Sequence, residues 1–115
     1  MNMRNVFIFL ILTTIFCSQV FFSPDGGTRA QLIRLIQSTT GNIDVAIYSF
    51  TSKELALALL SEEKAGRRVR LVADRGQAKG RYSVVKLLRD KFPVKYLPTT
   101  YGRGMMHNKF MIING

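Results

Sequence analysis

Ile43-Asp44-Val45-Ala46-Ile47-Tyr48-Ser49-Phe50 is a β-branched and aromatic run that passes directly into Thr51-Ser52-Lys53-Glu54, a threonine with a glutamate three residues on. The first stretch suits a central strand and the second is a capping box that opens a helix, Leu55 to Ala65, which Gly66 closes. The same alternation recurs on both sides. Val20 to Ser23 reads as a first strand stopped by Pro24-Asp25-Gly26-Gly27, and Thr28 is placed to cap a helix with Leu32, Ile33, Leu35 and Ile36 on its apolar side. Val69 to Ala73 is a further strand, followed by the polar loop Asp74 to Arg81 and a helix from about Ser83 to Lys91. Val94 to Leu97 is extended after Pro93, and Met105 to Ile113 is a terminal strand. Strand and helix in alternation predict an α/β fold with a mixed, largely parallel sheet flanked by helices.

The 115 residues make one domain at most, and their formal charge of +10 favours a polyanionic partner, nucleic acid or an anionic phospholipid surface. A solvated basic surface with no dedicated ligand is the plainer alternative. One cysteine, Cys17, excludes an internal disulfide, and one histidine among seven scattered acids makes a metal cage improbable, so neither metal nor cofactor is expected.

Arg4, the apolar run Val6 to Phe16, and polar Ser18 and Gln19 follow the order of an export signal. Residues 1–19 are therefore expected to be a signal peptide, with an uncleaved membrane anchor as the alternative, and 20–115 to be the folded part. Loss of the one arginine in that leader leaves the remainder strongly basic.

The single histidine, His107, precedes Lys109 by two residues in an apolar run, and strand geometry puts such a pair on one face. An imidazole and a fixed cation could then address one anionic group together. Arg75, Lys79 and Arg81 lie in the loop at the carboxyl end of the Val69 strand, where open α/β sheets gather ligands, and are candidates for phosphate contacts; charges touching only water are the competing reading. Arg67, Arg68 and Arg70, at the other end of that strand, are expected to be solvated.

His107-Asn108-Lys109-Phe110-Met111-Ile112-Ile113-Asn114 resembles the His-x-Lys-x4-Asp signature of the phospholipase D superfamily, with Asn114 standing where the family has aspartate. Ala46-Ile47-Tyr48-Ser49-Phe50-Thr51 and Val72-Ala73-Asp74-Arg75-Gly76 match other family segments in order, and the likeness is greatest to small, exported, single-signature nucleases. The resemblance implies phosphodiester hydrolysis without metal: histidine attacks phosphorus, a second histidine protonates the leaving oxygen, and water releases the product. His107 would be the nucleophile, Lys109 the clamp on the phosphate oxygens, and Asn114 the third signature position. It also implies a homodimer, because the reaction takes two histidines and this chain has one. Nucleic acid is the expected substrate, a phospholipid head group the alternative, and an inactive anion-binding remnant a third reading. Asn114-Gly115 is a hairpin-turn pair with no strand after it, so the sequence reads as the front part of the family's domain.

Overall fold

In the computed structural model, which describes residues 18–98 and 104–114, the sheet is built outward from two parallel strands. Ile43–Ile47 (β1) pairs with Val69–Asp74 (β2), Ile43 opposite Val69 and Ile47 opposite Ala73. Val94–Leu97 (β3) continues the parallel set beyond β2, and Lys109–Ile113 (β4) runs antiparallel along the other side of β1. The order is β3-β2-β1-β4, a mixed and mostly parallel sheet.

The parallel pairs require crossovers, and the helices supply them. Thr28–Ser38 (α1) precedes β1, Lys53–Lys64 (α2) joins β1 to β2, and the short Val85–Leu88 (α3) lies between β2 and β3. Two crossovers stepping in the same direction put their helices on the same side of a sheet. Accordingly Val45, Val69, Leu71 and Ala73 from the strands meet Ile36, Ala56, Leu59, Val85 and Leu88 from the three helices in one core. On the opposite face Asp44 and Arg70, direct neighbours in the β1–β2 register, form a two-pronged ion pair at 2.6 and 2.8 Å. Phe110 and Ile112 of that face are about half exposed, at 52% and 49%.

Several local expectations shift. Val20 to Ser23 is not a strand: Val20 and Phe22 are exposed, and the free edge of β1 that a further strand would need is occupied by β4. β-propensity without a partner does not make a strand. Helix α1 is not capped by Thr28. Its N-cap is Gly27 at φ 75°, a left-handed conformation that favours glycine, and the buried Thr28 Oγ1 has no hydrogen-bond partner. Ser52, not Thr51, caps α2. Its hydroxyl accepts from the Leu55 N–H at 3.3 Å and donates to Glu54 Oε2 at 3.1 Å. Strand β1 stops at Ile47, and Phe50 turns into the core while its carbonyl accepts from the Val84 N–H. The helix expected over 83–91 is regular only at Val85–Leu88, because Lys91 and Phe92 both turn back onto the Leu88 carbonyl ahead of Pro93.

Leu59 is fully buried and Ser52 is only a cap, so their truncations separate packing from capping. In urea unfolding, Leu59→Ala is expected to cost about 3 kcal/mol and Ser52→Ala about 1 kcal/mol.

Candidate active site

The functional end of the sheet lies where β1 and β2 finish and β4 begins. His107 sits just before β4, in an extended segment, so it and Lys109 are not two positions of one regular strand as expected. They meet nonetheless. Lys109 Nζ lies 3.2 Å from His107 Nδ1 and 3.3 Å from Nε2, and it donates to the His107 carbonyl at 3.1 Å. Whichever ring nitrogen carries no proton can accept from the ammonium. Both side chains are exposed, so a substrate can reach them from solvent.

Tyr48, the residue after β1, backs this pair. Its ring centroid is 4.5 Å from that of His107, tilted by 53°, and Lys109 Nζ is 5.2 Å from the Tyr48 ring centre, within cation–π range. The Tyr48 backbone N–H donates to the Asn108 carbonyl at 2.9 Å, and its hydroxyl accepts from Gln77 Nε2 at 3.1 Å. The tyrosine therefore ties the histidine segment to the loop after β2.

Asp74 makes the second tie. It ends β2, is only 4% exposed, and accepts from three backbone N–H groups at 2.9 Å: Gly76 and Gln77 on Oδ1, Met106 on Oδ2. Burial acts to raise its pKa. The backbone donors and the nearby His107 outweigh that and hold the carboxyl below its usual range. One carboxylate thus fixes both the start of the basic loop and the residue before His107.

Arg75 and Lys79 line one pocket together with Lys86, Arg89, Ala78 and Tyr96, and Arg75 Nε donates to the Pro98 carbonyl at 3.0 Å. Arg81 does not line that pocket; its guanidinium lies 5.5 Å from the ring centre of its neighbour Tyr82. Asn114 is set apart from His107. Its N–H donates to the Asn42 carbonyl and its carbonyl accepts from Thr39 Oγ1, at the start of β1, whereas His107 is at the end of it. Asn114 is five steps along the chain from Lys109, roughly 17 Å in a strand. A carboxylate there would lie beyond a Debye length of about 10 Å from the ammonium. Among the described residues no three of His, Cys, Asp and Glu are grouped as a metal site requires.

Sequence reasoning passed over Asp74, Tyr48, Lys86 and Arg89. The first had a local signal, an aspartate at a strand end two residues before glycine, which suits an Asx turn. The last two are three residues apart in the stretch read as helix, a spacing that puts them on one side, and the structure has Lys86 in α3 and Arg89 at its C-cap.

An imidazole and an ammonium held together at a sheet end suit a phosphate ester, and fold and site together define an α/β protein with an exposed histidine–lysine pair at the end of its sheet. Comparison narrows the class: residues 32–115 match the family model described as cardiolipin synthase, PLD-like domain, and the chain belongs to this phospholipase D-like family. The mitochondrial cardiolipin hydrolase of Drosophila melanogaster is 33% identical over 87 residues, 75% of this chain and 33% of that protein. The phospholipase D family member Nuc from Salmonella typhimurium superposes with a TM-score of 0.71 at 27% identity, over 84% of this chain and 63% of its own. NucT from Helicobacter pylori gives 0.62 at 30% identity, over 75% and 59%. The chain thus spans a third of the curated relative and about three-fifths of each solved structure.

Asp74 tests the site's framework through pH. Its folded pKa lies below the unfolded value of about 3.9, so its contribution is fully present above that pH and is lost as pH falls through the folded value. Asp74→Asn replaces one acceptor oxygen by a donor facing a backbone N–H, and should lower urea stability at pH 7 by about 2 kcal/mol. The gap between the unchanged chain and the variant should hold from pH 7 to about 5 and shrink below about 4.

Proposed function

We propose that the chain is a phosphodiester hydrolase that cleaves nucleic acid through a phosphohistidine on His107. The observation that carries this reading is Lys109 Nζ at 3.2 Å from a ring nitrogen of an exposed His107, in a chain of formal charge +10. A ring nitrogen of His107 attacks phosphorus, the bond from phosphorus to the leaving ester oxygen breaks, and that oxygen takes a proton from a second imidazole. Water then attacks the phosphohistidine, giving its proton to that imidazole and freeing His107. Lys109 stabilises the negative charge that gathers on the non-bridging oxygens.

The second imidazole is His107 of another copy, since the chain has one histidine, and the working form is a two-fold homodimer. Export directed by residues 1–19 belongs to the same proposal. Residues 1–17 lie outside the described part, and among the described residues no helix is long and apolar enough to cross a membrane. Mass spectrometry of the mature N-terminus checks it. A phospholipid is the second reading, favoured by the name of the 33% identical cardiolipin hydrolase.

Labelled single-stranded DNA and cardiolipin-containing vesicles, each incubated with the protein in EDTA, separate the substrates. DNA is expected to be cleaved at a rate EDTA does not change. His107→Ala should lower that rate by about 10³-fold or more and Lys109→Ala by about 10²-fold. Cleavage of vesicles alone supports the lipid reading, and rates unaffected by His107→Ala exclude the mechanism. A second expectation concerns assembly: with both histidines required, adding excess His107→Ala protein to the unchanged chain should suppress activity as mixed dimers form.

A further inference from the structure

Between β2 and α3 the chain rises into a short crest, Lys79-Gly80-Arg81-Tyr82, whose residues are all exposed. Two turns close it: the Gly80 N–H donates to the Gln77 carbonyl and the Ser83 N–H to the Gly80 carbonyl, each at 3.0 Å. Both feet of the crest are tied to the chain just beyond β1. Gln77 Nε2 donates to the Tyr48 hydroxyl at 3.1 Å, and the Val84 N–H donates to the Phe50 carbonyl at 2.9 Å. Tyr48 is the residue whose ring lies against His107 and beneath the Lys109 ammonium. The crest therefore stands at the same end of the sheet as the histidine–lysine pair. Two chain steps from Tyr48 to Phe50, one backbone hydrogen bond, and two steps from Val84 to Tyr82 keep the Tyr82 Cα within about 20 Å of that of Tyr48. About six nucleotides cover that span at duplex spacing, and fewer when the strand is extended.

What the crest displays is a ring with a cation on it. Tyr82 is 74% exposed, while Ser83, Val84 and Val85 after it are buried, so the core is completed without this ring. The Arg81 guanidinium lies over the ring, 5.5 Å from its centre and within cation–π range. With the cation on one face and most of the residue accessible, the other face is open to a flat ligand. Stacking of bases on aromatic rings, with arginine adding cation–π attraction, is how basic proteins hold single strands without reading their sequence. A bilayer is the poorer fit. Insertion into a membrane interface takes several apolar side chains on one surface, and Tyr82 is the one large ring in a crest otherwise made of Lys79, Gly80 and Arg81.

We infer that Arg81 and Tyr82 form a base-stacking platform for a single nucleic-acid strand that has one of its phosphates at His107. The identity of the strand rests on the nuclease reading above, but the test reads binding and needs no turnover. Fluorescein-labelled oligothymidylate of twelve nucleotides, and a strand with the same phosphates but no bases, are titrated in EDTA over a range of NaCl concentrations. Every chain carries His107→Ala so that the strand stays intact. This parent is compared with the same chain carrying Tyr82→Ala, Tyr82→Phe, Arg81→Gln, or Arg68→Gln, an exposed charge at the opposite end of β2.

Tyr82→Ala should weaken oligothymidylate binding about tenfold, as the loss of one stacked base requires. The log–log salt slope should not change, because no phosphate contact is removed. Tyr82→Phe keeps the ring and should stay within about twofold, Arg81→Gln should cost about threefold, and Arg68→Gln less than about twofold. The strand without bases should bind the parent and Tyr82→Ala alike. Equal losses for the two strands, no loss in Tyr82→Ala, a loss that tracks a lowered urea midpoint, or no measurable binding by the parent would overturn the platform. A Tyr82→Ala loss confined to cardiolipin-containing vesicles would overturn it in favour of a membrane contact. Cleavage by the chain that retains His107 is read separately. Base-dependent binding without cleavage counts against the catalytic reading alone, and cleavage without base-dependent binding counts against the platform alone.

Discussion

The geometry of the site depends on one buried carboxylate. Asp74 accepts three backbone N–H groups from two chain segments that are 32 residues apart in its bond to Met106. Without those acceptors, three N–H groups at the sheet end would be left unsatisfied, at about 1–3 kcal/mol each. With them, the last residue of β2 fixes the start of the basic loop and the approach to His107 together. Charge-assisted bonds of this kind are short and directional, which makes Asp74 a positioning residue rather than a reacting one.

The sheet supplies what the carboxylate cannot. β4 lies antiparallel on β1, so the start of β4 meets the end of β1, and Lys109 stands opposite Ile47. The next pairing, Tyr48 N–H to the Asn108 carbonyl, carries the ladder one step further and brings the Tyr48 ring against His107. Helices α1, α2 and α3 pack on one face and leave Phe110 and Ile112 about half exposed on the other. The candidate site therefore sits at an open end of the sheet, above a core that is closed on one side by Ile36, Leu59 and Leu88.

Much of this was legible in the residues. The Ile43 and Val69 strands, the helix between them and the closing Gly66 follow from β-branched runs, a cap and a left-handed glycine, all of which act locally. The His107 and Lys109 partnership followed from spacing even though the strand begins at Lys109, four residues later than read. What the residues hid was non-local. Val20 to Ser23 had strand propensity but lost its edge to β4, whose position is set by tertiary pairing. Asp74 looked like the first residue of a polar loop because its partner Met106 is remote in sequence, and the cavity of Arg75, Lys79, Lys86 and Arg89 exists only once separate elements converge. Asn114 looked like a member of the reacting group by sequence pattern, while the structure sets it at the far end of the strand.

The proposed reaction turns on a covalent bond between His107 and phosphorus. Rapid mixing with a phosphodiester substrate, an alkaline quench that preserves phosphohistidine, and peptide mass spectrometry test it directly. Phosphorus attached to the peptide that contains His107, rising and decaying with substrate turnover, is the predicted result. Turnover with no phosphorus on His107, or phosphorus on a different residue, would contradict it.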